Sequence, residues 1–230
     1  MMEFYIDTWD IEAVRTVNER FPIAGFTTNP NILTKAMQPL EALIPAYRDY
    51  VRETGQKIFV QVTARTAGEM LSQAERLQDY FGEELVVKLP AVSEGYRACP
   101  KCKARGMSVC VTVVHSVIQG VVAAEAGADY VAPYVTHIDN IGADGVRCVG
   151  EMVNIFARSG SMCRVLGASF RTVKQLEELA GVGCHAVTIT PEMAAALIAH
   201  PSTDASLLGF EAAWRGAFGE KHITDFLPPV

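Results

Sequence analysis

No run of about 18 apolar residues occurs anywhere in the chain, which excludes an ordinary membrane-spanning helix. No stretch of Lys and Arg interleaved with aromatics occurs either. The 26 acidic residues outnumber the 20 basic ones and leave a net charge of −6, so nucleic acid is not an expected partner. A phosphorylated substrate would have to be held by local cations, not by a broad positive field. No Gly-x-Gly-x-x-Gly follows an early strand, which argues against an open dinucleotide-binding sheet. The opening Met1-Met2-Glu3-Phe4-Tyr5-Ile6-Asp7 has no basic stretch leading into an apolar one. A secretory signal is therefore not expected, and the cytoplasm is the default compartment. The six cysteines, at 99, 102, 110, 148, 163 and 184, read as free thiols under those conditions. Linkers, low-complexity tracts and shifts of composition are also missing.

What the sequence does contain is alternation. Short β-rich runs span 3–8, 25–29, 57–63, 85–90, 107–114, 130–135, 164–169 and 186–190. Between them lie segments of helical period. Ile11 to Val17 follows Asp10, a plausible N-cap. Thr66 to Tyr80 carries Met70, Leu71, Ala74 and Leu77 on one stripe, and Val173 to Ala180 carries Leu176 and Leu179. Strand and helix in regular succession predict a parallel sheet with crossover helices. Eight such units in 230 residues predict one α/β domain over 1–230, a closed (β/α)8 TIM barrel. One more amphipathic helix, over 203–219, follows the eighth unit. It either caps the barrel or forms an arm that docks on a neighbouring subunit.

The ends of the runs are polar: Asp7 and Thr8; Thr27, Thr28 and Asn29; Gln61 and Thr63; Lys88; Thr112; Tyr134; Ser169; Thr188 and Thr190. In a barrel these positions share one rim, where catalysis sits. Lys88 stands out because it interrupts the apolar strand Leu85-Val86-Val87-Lys88-Leu89-Pro90. Burial disfavours an ammonium and exposes a nucleophilic amine. Such an amine adds to a ketone and forms an iminium, an electron sink for making or breaking a carbon–carbon bond. The other reading is a lysine salt-bridged to Asp7.

Five segments then stand in a telling order: Asp7-Thr8, Ala24-Gly25-Phe26-Thr27-Thr28-Asn29-Pro30, Val86-Val87-Lys88-Leu89-Pro90, Ala132-Pro133-Tyr134-Val135 and Ala168-Ser169-Phe170. Together with Trp214-Arg215-Gly216-Ala217-Phe218-Gly219, they closely resemble the small transaldolase-like family of the fructose-6-phosphate aldolase type. The resemblance implies a class I aldolase that needs no cofactor or metal, with small-molecule ketone and aldehyde substrates. It matches Lys88 to the Schiff-base lysine and Tyr134 to the acid/base. Gln61 and Thr112 match residues that hold a catalytic water with that tyrosine. Asp7, Asn29 and Ser169 match residues that bind a dihydroxyacetone-type donor, and Thr27 belongs to the same donor-side motif. Homo-oligomers are implied too, rings of five often paired into ten, with the C-terminal helix reaching a neighbour. Larger transaldolases resemble this chain but carry glutamate at the place of Gln61, so the glutamine favours aldolase over transfer of a three-carbon unit between sugars. A non-catalytic sugar-binding barrel is the third reading. It leaves a nucleophile beside a proton relay without a use.

Two departures stand out. The family's Ala-Pro-Tyr-Val-Asn-Arg reads here Ala132-Pro133-Tyr134-Val135-Thr136-His137, so an imidazole replaces the arginine that meets substrate phosphate. Arg171 still matches a basic position of the family. His137 is either an acceptor-binding residue or a rim histidine bonded to Asp139. The second departure is Cys99-Pro100-Lys101-Cys102, where Pro100 is expected to break or kink a helix. A single C-x-x-C with only Cys110 and His115 nearby is weak evidence for zinc or a redox pair, and plain thiols are expected. His115 either touches the acceptor or is a core or surface histidine.

Overall fold

Eight parallel strands close into a barrel in chain order in the computed structural model, which describes residues 1–228. They are β1 (Glu3–Asp7), β2 (Gly25–Thr27), β3 (Lys57–Gln61), β4 (Leu85–Pro90), β5 (Ser108–Val114), β6 (Tyr130–Pro133), β7 (Arg164–Gly167) and β8 (Ala186–Ile189). The ring shuts where β8 pairs with β1, Thr188 opposite Tyr5. The helices are α1 (Ile11–Arg20), α2 (Pro30–Leu33), α3 (Leu40–Thr54), α4 (Ala67–Phe81), α5 (Ser93–Lys103), α6 (Val117–Glu125), α7 (Val135–Asn140), α8 (Gly145–Ser159), α9 (Val173–Gly181), α10 (Pro191–Ile198) and α11 (Pro201–Phe218). This is the expected TIM barrel. The last two residues of the expected 1–230 span lie outside the described residues.

Local chemistry explains the helix starts. Asp10 accepts from the backbone N–H of Glu12 and Ala13, and Thr66, Ser116 and Asp144 cap α4, α6 and α8 in the same way. Thr172 and Gln175 form a capping box on α9. The same demand shortens the strands relative to their sequence patterns. Asn29 leaves the ladder to cap α2, Thr190 accepts from Met193 N, and Tyr134 stands where the chain turns into α7. The short α2 is absent from the hydrophobic pattern, but its signal is Asn29-Pro30, a cap followed by proline at the first helical position.

Pro100 does not break α5, one of the two outcomes expected of it: the helix runs on to Lys103. Proline removes only the bond to the carbonyl one turn back, and its fixed φ is itself helical. The flanking Ala98, Cys99 and Cys102 are buried and hold the last turn in place.

Inside the barrel the period-2 alternation puts Tyr5, Phe59, Val86, Cys110, Tyr130, Leu166 and Ala186 into one buried cluster. Tyr5, Phe59 and Tyr130 meet edge to face, with ring centres 4.9 and 5.2 Å apart. Beneath them Lys57 Nζ donates to Tyr130 Oη at 3.0 Å, Arg164 Nη1 to Glu3 Oε1 at 2.7 Å, and Tyr5 Oη to Glu3 Oε2 at 3.0 Å. These residues fill the end of the barrel at which the strands begin. Packing between β2 and β3 is close enough that a Cβ on Gly25, whose φ is 147°, would stand 1.9 Å from the Lys57 carbonyl oxygen, so only glycine fits.

The chain divides into two compact units, one of residues 1–194 and one beginning at Ala195. The helical arm expected over 203–219 falls in the second, as α11. Leu207, Leu208, Phe210 and Phe218 are exposed there. Trp214 and Phe218 pack with ring centres 4.7 Å apart, Phe226 closes the cluster, and Trp214 Nε1 donates to the Lys221 carbonyl at 2.7 Å. No helix of the described residues is long and apolar enough to cross a membrane.

Candidate active site

At the C-terminal ends of the strands lies a cavity of about 320 Å³, lined by side chains from six strands' ends and from the loops that follow. Its size suits a small metabolite. A second hollow of about 380 Å³ lies between the end of β3 and α4, but its lining offers no amine or carboxylate.

Lys88 stands in the wall of the first cavity, only 5% exposed. Its Nζ donates to the Thr28 backbone carbonyl at 2.8 Å. That partner is neutral, which separates Lys88 from the salt-bridged reading. Burial lowers the pKa of the amine, and Asp7 and the Cys110 thiol only partly oppose it.

Asp7 lines the cavity from β1, and burial raises its carboxyl pKa against the pull of Lys88 and Thr27. Thr27 Oγ1 donates to Asp7 Oδ1 at 2.6 Å and meets Thr188 Oγ1 at 2.6 Å. Thr27 is fully buried and is not part of the lining, so it acts on the cavity through Asp7. Asn29 does line it. Its Oδ1 is spent on Ile32 N at 3.0 Å, which leaves the amide N–H groups for a ligand. Asn31 and Thr188 line it too. Neither was singled out by motif; for Thr188 the signal was its place at a strand end.

Across the cavity stand Thr112 and Tyr134, with Oγ1 and Oη 3.5 Å apart. Burial raises the pKa of the Tyr134 phenol, so it keeps its proton at neutral pH. Ser169 sits on the rim with a φ of 62°, a left-handed conformation uncommon for a non-glycine residue. Its carbonyl accepts from Thr136 N at 3.0 Å, which ties the loop after β7 to α7.

The remaining expected residues divide. His137 lines the cavity, with Tyr134 at 5.2 Å edge to face. His115 stacks on it, ring centres 5.8 Å apart, and also meets the Tyr134 ring. Asp139, the other partner considered for His137, accepts from Gly145 N at 2.8 Å and Gln175 Nε2 at 3.0 Å. Gln61 is beside Lys88 in the ladder but borders the second hollow, not this cavity. Arg171 is exposed on the loop after β7 and is not in the lining. All six cysteines are free and buried, and burial pushes the thiols of Cys99, Cys110 and Cys163 up to about 12. Among the described residues no group of three or more His, Cys, Asp or Glu side chains is gathered as metal ligands.

The family model for transaldolase and fructose-6-phosphate aldolase matches residues 4–225. The chain belongs to that family. Membership places it among enzymes of the transaldolase and aldolase kind. The barrel is similar to that of a native KDPGal structure, with a TM-score of 0.61 at 15% identity over 86% of this chain and 92% of that one. It is also similar to a cube-shaped, highly porous protein cage designed by fusing symmetric oligomeric domains, with a TM-score of 0.62 at 15% identity, covering 94% and 80% of the two chains. A mandelate oxidase variant with 2-hydroxy-phenylacetamide gives 0.57 at 18% identity, over 94% and 73%. At such identities the likeness is one of fold. In this member of the transaldolase/fructose-6-phosphate aldolase family, the polar groups lie where the barrel concentrates chemistry.

Proposed function

We propose that this protein is a class I aldolase that joins a dihydroxyacetone-type donor to an aldehyde, or cleaves the product, through a Schiff base on Lys88. The observation that carries the reading is the buried amine of Lys88, hydrogen-bonded to a neutral carbonyl and lining a cavity of polar groups. The Nζ lone pair adds to the donor carbonyl carbon. Protonation of the adduct's hydroxyl, for which Tyr134 is suited, and loss of water leave an iminium, which draws electrons from the adjacent carbon when a proton departs there. The resulting enamine attacks the aldehyde carbon, and the new alkoxide takes a proton. Water then hydrolyses the iminium and returns the free amine.

Tyr134 is suited to the proton steps because burial keeps its phenol protonated and Thr112 orients it. Gln61, beside Lys88 in the ladder, borders the neighbouring hollow and would have to turn toward Lys88 to fix the water with them, as a neutral group that cannot itself shuttle a proton. That neutrality is why aldol chemistry is preferred here over transfer between sugars. Asp7, Asn29 and Ser169 hold the donor hydroxyls. His137 meets the distal end of the acceptor, while Arg171 would have to move to reach it. The working form is a homo-oligomer built through the exposed apolar face of α11, and the cytoplasm is the compartment.

Borohydride trapping with dihydroxyacetone, followed by peptide mass mapping, tests the central step. A reduced adduct on Lys88 is expected. An adduct on another lysine, or none, overturns it.

A further inference from the structure

We infer that Thr188 is a donor-selecting residue, the cavity-facing end of a hydrogen-bonded chain that runs back through Thr27 to Asp7. The inference rests on the proposed donor-binding role of this cavity. The direction of the chain follows from counting hydrogens. Each threonine hydroxyl carries one hydrogen and two lone pairs. Thr27 Oγ1 donates its hydrogen to Asp7 Oδ1 at 2.6 Å. The second short contact, Thr27 Oγ1 to Thr188 Oγ1 at 2.6 Å, must then take its hydrogen from Thr188. The hydrogen of Thr188 is thereby committed, and what it turns to the cavity is lone pairs.

Thr188 lines the cavity and Thr27 does not. Thr188 is 5% exposed and Thr27 fully buried, so water cannot readily reorient the pair. A group that can only accept recognises a hydroxyl and gives nothing to a methyl or a carbonyl. It belongs with a ketone whose carbon next to the carbonyl bears a hydroxyl. The β8–β1 pairing sets the position: Thr188 is opposite Tyr5, two residues before Asp7 on the same inner face. One side of the cavity therefore offers a carboxylate and a hydroxyl that share a buried threonine between them. Removing that threonine's partner leaves a buried polar atom unsatisfied, which makes the arrangement selective as well as attractive.

The test is a donor series of dihydroxyacetone, hydroxyacetone and acetone with one fixed aldehyde, scored by kcat/KM and by borohydride-trapped adduct. It compares wild type, Thr188→Val and Thr188→Ser. Valine keeps the shape and removes the hydroxyl; serine keeps the hydroxyl. Thr188→Val should lose roughly 10-fold on the donors that carry the recognised hydroxyl and less than about 3-fold on the donor that lacks it. Thr188→Ser should restore the wild-type ordering. An equal loss on all three donors, or none on any, overturns the inference while leaving the Lys88 adduct intact. Absence of a Lys88 adduct in wild type with every donor would overturn this inference and the aldolase reading together.

Discussion

Val113 carries a φ of 64° at the bulge in β5, and its carbonyl accepts from His115 Nδ1 at 3.0 Å. A β-branched residue in that conformation is a strained one, held by its surroundings. The strain turns a carbonyl out of the ladder and fixes one imidazole against another, since His115 stacks on His137. His137 is thus a supported ring at the mouth of the cavity. It offers one imidazole nitrogen at a time where the family pattern has a bidentate, permanently charged fork.

Phosphorylated acceptors should accordingly be less favoured than the family pattern implies. A charge-assisted arginine–phosphate pair is worth roughly 1.5–3 kcal/mol, so its loss costs about one to two orders of magnitude in affinity. The measurement is kcat/KM for glyceraldehyde 3-phosphate against glyceraldehyde, in wild type and His137→Arg. The arginine variant should shift the ratio toward the phosphate. If wild type already prefers the phosphate strongly and the variant adds nothing, Arg171 and its neighbours suffice and the expectation is wrong.

Lys88→Met should abolish activity and keep the fold. Methionine is apolar and of similar length, and it fills the strand without a desolvated amine. Circular dichroism should show an unchanged spectrum and a melting temperature no lower than wild type. Residual turnover above background in the pure variant would remove Lys88 from the chemistry.

The pH dependence follows from the lowered pKa of Lys88. Below that pKa the amine is protonated and cannot attack, so kcat/KM and the rate of trapping fall as pH drops through it. Because the shift is downward, this limb lies at lower pH than for an exposed lysine. Stability is linked with the same sign: between the folded pKa and the unfolded value the unfolded chain holds more protons, so this residue's contribution grows as pH rises. A trapping profile with its midpoint at the ordinary lysine value, near 10.5, would contradict the environment described.

Tyr134→Phe should reduce kcat by roughly 10²–10⁴ with little change in stability. Gln61→Glu should raise the transfer of a three-carbon unit to a sugar relative to simple aldol addition, because glutamate can carry the proton that glutamine can only direct. Rates with free dihydroxyacetone and with a ketose donor supply the ratio. A ratio unmoved by the substitution would take Gln61 out of the relay.

Light scattering at micromolar concentration should report an oligomer, of five or ten chains on the family's pattern. The exposed Leu208 and Phe210 supply apolar surface to bury. Leu208→Asp with Phe210→Asp should lower the mass without loss of secondary structure. A monomeric wild type would overturn the expectation outright.

Strand order and number were legible because buried parallel strands print short apolar runs, each ended by a polar residue. Lys88 was legible for the same reason, as a charge inside such a run. Strand ends were not, because Asn29 and Thr190 serve the next helix instead of the ladder, while Tyr134 still bridges Ala168 as the chain turns into α7. The bulge at Val113 was invisible, since nothing in Val-Thr-Val-Val announces a positive φ. The roles of Thr27 and Thr188 depend on two strands that meet only when the ring closes, a separation that no local pattern spans. Arg171 is a different case: its place in a motif suggested a site residue, and the structure places it on an exposed loop outside the cavity lining.

The packed floor of Tyr5, Phe59 and Tyr130 closes one end of the barrel. Whatever reaches Lys88 must come in from the opposite end, where His137 and Ser169 line the cavity. If the proposed aldol reaction runs here, the ketone that binds the amine must lie innermost and the aldehyde must follow it in. A floor built for rigidity would thus set the order in which the proposed substrates enter.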